Sequence, residues 1–98
     1  MTEFDVEAIL RHALTLPGAA RGISCAGTTL ERPTAEVGGR AFVFVGPQDV
    51  RLKLSASLPE ARTAPHCTVG KNGWVKLSPE TPAATVKRWV RESWSLFG

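Results

Sequence analysis

Two consecutive glycines, Gly38-Gly39, separate the runs 34–37 and 40–45, and they constrain this chain more than any other feature. A two-residue Gly-Gly loop supplies the positive φ angles that a primed turn requires, so the flanking runs are expected to be antiparallel neighbours. The loop length also predicts register, with Val37 opposite Arg40 and Ala35 opposite Phe42. Gly46-Pro47-Gln48-Asp49 predicts a second turn, followed by residues 50–54, where Val50, Leu52 and Leu54 alternate with Arg51 and Lys53. Such alternation marks a half-buried strand. If that second loop has four residues, Val45 pairs with Val50 and Val43 with Leu52. One sheet face then gathers Ala41, Val43, Val45, Val50, Leu52 and Leu54. The other gathers Arg40, Phe42, Phe44, Arg51 and Lys53, a mixture of rings and cations suited to stacking bases and neutralising phosphates. A loop of odd length reverses the pairing, sets the phenylalanines against Leu52 and leaves only charge outside.

The remaining segments fill in around this hairpin. Thr2-Glu3-Phe4-Asp5 is a capping-box-like start, and Phe4, Ile9, Leu10, Ala13 and Leu14 recur at helical spacing, which predicts a helix to about residue 14. Leu16-Pro17-Gly18 stops it. Residues 19–30 are rich in small side chains and read as irregular, with a short edge strand at 23–26. One helical turn is expected around Leu58-Pro59-Glu60-Ala61, a loop at 65–72 and a short strand at 73–77. There Trp74 and Lys76 alternate with Val75 and Leu77 and extend whichever face holds the lysines. Thr81 and Pro82 open a last helix over 82–95, as cap and first-turn residue. Its apolar face carries Val86, Trp89, Val90, Ser93 and Phe97, with Lys87, Arg88, Arg91 and Glu92 elsewhere. Trp89 and Trp94 are about 140° apart around that helix, so Trp89 is expected in the core and Trp94 half exposed. The whole is an α+β fold: an antiparallel sheet of three to five strands with N-terminal and C-terminal helices packed on it. A chain of 98 residues forms a single domain over 1–98.

Composition narrows the function classes. No run of about 18 apolar residues occurs, and charged residues interrupt the first sixteen positions, so neither a membrane span nor a signal peptide is expected. With two cysteines, Cys25 and Cys67, the chain does not read as a disulfide scaffold, and a cytoplasmic protein with free thiols is expected. Net charge is +3, but it is uneven: residues 1–49 hold four basic and six acidic side chains, residues 50–98 eight and three. Such polarity suits an anionic partner such as nucleic acid. The competing expectation is a solvated basic surface on a protein-interaction or small-ligand domain.

His12, Cys25, His66 and Cys67 are the metal-ligand types present, but no CxxC or HxxxH spacing anchors them, so no metal is expected. Gly70-Lys71-Asn72-Gly73 lacks the glycine spacing and the hydroxyl residue of a phosphate-binding loop and reads as a tight turn. No catalytic residues and no cofactor are expected, and the chain reads as non-enzymatic. The candidate nucleic-acid contacts are Arg40, Arg51, Lys53, Lys71, Trp74, Lys76, Lys87, Arg88 and Arg91.

Five pieces in this order resemble the MmcQ/YjbR family of small bacterial proteins: Leu16-Pro17-Gly18-Ala19, Glu36-Val37-Gly38-Gly39-Arg40-Ala41-Phe42, Arg51-Leu52-Lys53-Leu54, Gly70-Lys71-Asn72-Gly73-Trp74-Val75 and Trp89-Val90-Arg91-Glu92-Ser93-Trp94. The resemblance runs from Ile9 to Phe97. It implies an α+β fold described as a double-wing arrangement and a DNA-binding role that rests on fold similarity. It implies no catalytic residue, metal or cofactor.

Overall fold

Six strands form one antiparallel sheet in the order β1-β2-β3-β4-β6-β5. They are β1 (Ala20–Ser24), β2 (Arg32–Val37), β3 (Arg40–Val45), β4 (Val50–Lys53), β5 (Cys67–Val69) and β6 (Trp74–Leu77). Helices α1 (Val6–Leu14), α2 (Leu58–Thr63) and α3 (Ala83–Phe97) complete the α+β fold. The computed structural model describes residues 6–24, 27–29, 31–46, 49–78 and 80–97. The capping-box residues 2–5 therefore lie outside the described residues. No described helix is long and apolar enough to cross a membrane.

The sheet has one strand more than the three to five expected. The addition is β5, inside the expected loop 65–72. Three residues between Pro65 and Gly70 have no periodicity of their own, and what orders them is pairing with β6, Cys67 opposite Leu77 and Val69 opposite Val75. The first edge strand begins at Ala20 rather than Ile23 and lies along β2, with Gly22 opposite Thr34.

Gly38 and Gly39 take φ of +61° and +80°, and Val37 faces Arg40 as the turn requires. Two residues further the register shifts. Ala35 lies opposite Val43, not Phe42, because a β-bulge on β3 sets Ala41 and Phe42 together against one residue of β2. The bulge inverts the alternation at this end of the strand. Ala41, expected inside, faces Glu36 and is half-buried, while Phe42, expected outside, is fully buried. Beyond the bulge, Val43 opposite Leu52 and Val45 opposite Val50 match the four-residue loop.

Val43, Val45, Val50, Leu52, Val75 and Leu77 form the covered face, under Leu10 and Ala13 of α1 and Val86, Trp89 and Val90 of α3. Burying each Val or Leu side chain contributes about 1.5–3 kcal/mol. Thr81 does not cap α3 with its side chain; its hydroxyl donates to the Ser78 carbonyl at 2.9 Å.

Three consecutive residues of α3 bind three separate segments. The Glu92 carboxylate accepts N–H bonds from Ser55 and Ser57 and the Ser57 hydroxyl, just ahead of α2. Ser93 enters the sheet where the β3–β4 ladder ends: its hydroxyl accepts the Lys53 N–H at 3.0 Å and donates to the Phe42 carbonyl at 2.7 Å. The Trp94 indole N–H donates to the Pro17 carbonyl at 2.9 Å, after α1.

Candidate nucleic-acid interface

The sheet face opposite the helices is organised in rows, open at Arg51, Lys76 and Thr68 but closed over Thr34, which is 1% exposed. Gly22, Thr34, Phe44, Arg51, Lys76 and Thr68 are direct cross-strand neighbours from one edge to the other. In the next row Lys53 lies opposite Trp74. Although β3 and β6 are separated by β4, or about 10 Å, the Phe44 and Trp74 rings bridge the gap. Their centroids are 5.5 Å apart at 72°, the edge-to-face geometry aromatic pairs favour. Phe97, at the end of α3, lies 6.1 Å from Trp74 at 34°. Arg40 and Lys53 stand over the Phe97 ring, 5.2 and 5.7 Å from its centroid. Phe97 is thus a rim residue of the open face, about one helical turn beyond Ser93, whose hydroxyl bonds both Lys53 and Phe42.

The turn from β5 to β6 shapes the end of this face. Gly70 N–H donates to the Trp74 carbonyl at 2.7 Å, Leu54 N–H donates to the Gly73 carbonyl at 2.9 Å, and Asn72 and Gly73 have φ of +58° and +85°. A Cβ at Gly73 would sit 2.6 Å from the Leu54 carbonyl oxygen, so only glycine meets both demands. This tight turn raises Lys71 beside Trp74. A groove of about 370 Å³ results, lined by Arg51, Thr68, Gly70, Lys71, Trp74 and Lys76.

Its charged lining residues, Arg51, Lys71 and Lys76, are all cations. Arg51 and Lys76 are directly opposed, and like charges in that relation destabilise a sheet. Lys76 is 3.7 Å from Asp49, which also holds Arg32 at 3.3 Å. Arg51 is exposed and has no carboxylate partner among the described residues.

Four of the nine sequence candidates, Arg51, Lys71, Trp74 and Lys76, come together in the groove, and Arg40 and Lys53 stand at its rim through Phe97. Lys87, Arg88 and Arg91 lie instead on the helical layer. Arg88 makes a two-pronged pair with Glu60 at 3.0 and 3.1 Å, and its hydrogen bond holds the Glu60 carboxyl below the usual range. Arg91 lies over Trp94, 5.8 Å from the ring centre. Phe42, expected on the open face, is absent from it because of the bulge.

Sequence reasoning missed Thr68, hidden in the short β5, and the rim position of Phe97. It also missed Asp49, whose place beside Lys76 follows from β4–β6 pairing that no local pattern encodes. Among the described residues no three His, Cys, Asp or Glu side chains are placed to hold a metal ion. Cys67 donates its thiol to the Ala61 carbonyl at 3.3 Å, and burial, helped by Glu60, pushes that thiol up. Cys25 lies outside the described residues.

No protein-family model matches the chain, and no curated protein or solved structure shows significant similarity to it.

Proposed function

We propose that this chain is a non-enzymatic nucleic-acid-binding domain of MmcQ/YjbR type that takes its ligand on the uncovered sheet face. The observation that carries this reading is the directly opposed pair Arg51 and Lys76 beside a half-buried tryptophan. Asp49 relieves Lys76 but leaves Arg51 with no carboxylate partner among the described residues, so an incoming phosphate meets an unneutralised cation, and a neighbouring aromatic surface adds affinity for bases. Lys71 adds a third cation at the turn. A basic protein surface that neutralises phosphates releases their counterions, so binding weakens steeply as salt rises.

The test is a titration of DNA at several salt concentrations with the unaltered chain and two double variants. Arg51→Gln/Lys76→Gln is expected to weaken binding similarly for unrelated sequences and to reduce the salt slope by about two, one per lost contact. Lys87→Gln/Arg88→Gln, on the helical layer, should leave the slope unchanged. Absence of binding at low salt would reject the proposal. That result would favour a small-ligand domain, a class that the groove suits by volume, since ligand pockets run from about 300 to 1,000 Å³.

A further inference from the structure

Resting on that nucleic-acid reading, we infer that the groove takes one unpaired base, stacked on Trp74, and that the protein therefore prefers single strands to duplexes. Phe44 meets the indole edge-to-face and Phe97 leans against it, so the ring is propped from two sides. The groove borders what remains open of it and brings Arg51, Lys71 and Lys76 into the same lining. A ring fixed in this way loses little side-chain freedom when a flat ligand lands on it.

Geometry then separates strand types. A base within a duplex offers its edge to either groove, while both of its faces are occupied by neighbouring bases. Trp74 is half-buried and held against Phe44 and Phe97, unlike the exposed apolar wedges that part a base stack. An unpaired base can leave its own strand and lay a face on the indole, with its flanking phosphates towards the cations. Thr68 is exposed on the same wall, and its hydroxyl supplies a donor and an acceptor to a base edge.

The experiment compares a twelve-nucleotide oligothymidylate, the same oligomer with abasic sites throughout, and a twelve-base-pair duplex, all at one low salt concentration. The single strand is expected to bind at least about tenfold more tightly than the duplex. Removing the bases should cost about 5- to 150-fold, the equivalent of one stacked base. Trp74→Leu should lose the same factor on the oligothymidylate and leave the abasic oligomer unaffected, whereas Arg51→Gln should weaken all three ligands. Equal affinity for the normal and abasic oligomers, or a duplex bound as tightly as the single strand, would overturn this inference yet leave the nucleic-acid reading standing. Failure of all three to bind would overturn both. The abasic and duplex comparisons use the unaltered protein, so they can reject the inference even if Trp74→Leu fails to fold.

Discussion

Glu92 holds Ser57 at two points, one carboxylate oxygen accepting its N–H at 3.0 Å and the other its hydroxyl at 2.7 Å. Burial alone would raise the Glu92 carboxyl, but hydrogen bonds from Ser55, Ser57 and Ala56 outweigh it and hold the group below the ordinary glutamate range. A carboxyl lowered on folding contributes stability that is present above its unfolded value, about pH 4.3, and is lost as pH falls through the folded value. Urea unfolding should therefore show a loss of stability below about pH 4.3. Glu92→Gln should be about 1–2 kcal/mol less stable at pH 7, with a shallower acid decline; an equal decline in both proteins would dismiss the clamp.

The bulge on β3 gives Phe42 and Phe44 different roles two residues apart. Phe42→Ala should cost about 3–5 kcal/mol in urea unfolding, the usual result of emptying a buried ring site. Phe44→Ala should cost less, about 1–2 kcal/mol, and should weaken oligothymidylate binding by removing the prop of Trp74. Similar stability losses for the two would mean that the strand alternates regularly.

Gly38 and Gly73 both have positive φ, but a Cβ at Gly38 meets nothing within 4 Å, whereas at Gly73 it meets the Leu54 carbonyl. Gly38→Ala should cost about 1 kcal/mol from backbone strain alone. Gly73→Ala should cost at least about 1 kcal/mol more, with binding reduced as the turn shifts. Equal melting temperatures for the two variants would show that the close approach contributes nothing.

Asp49 neutralises part of the basic face through Arg32 and Lys76. Asp49→Asn should therefore bind DNA several-fold more tightly at low salt and show a steeper salt slope, even if the fold is slightly weakened. Unchanged affinity in a folded variant would place the phosphate path away from Lys76.

Legibility in the sequence followed the reach of each interaction. The Gly38-Gly39 hairpin and the four-residue loop before Val50 were readable because a turn of known length fixes which side chains share a face. The opposition of Arg51 to Lys76 was not, because β4 and β6 are separated by α2 and β5, and their register depends on packing across the whole sheet. The bulge at Ala41-Phe42 contains neither glycine nor proline. It is stabilised from outside the strand, by Ser93, fifty-one positions away, whose hydroxyl occupies the place of a ladder bond. Phe97 fell on the apolar stripe of α3, and no local spacing says that the end of that stripe meets Trp74 of β6.

Residues 92–94 give the molecule an unusual distribution of risk. The backbone amides of Lys53, Ser55 and Ser57, on and just after β4, donate to side chains of α3 rather than to their own surroundings, and the same helix turn binds the exit of α1. Undocking the second half of α3 would release all of these at once. In hydrogen-exchange terms, the three amides and the amides of α3 around residue 93 are expected to open as one cooperative unit, with a shared opening free energy. The far edge strand, β1, pairs only with β2 and has no buried residue, so it can fray independently of that unit. Protein surfaces that rearrange for a ligand come from such low-cost edges, and the groove combines both situations, with Arg51 on β4 beside that unit and Thr68 on β5, the other edge strand of the sheet. A ligand seated across the groove would therefore tie a short edge strand to the helix-docked centre of the sheet.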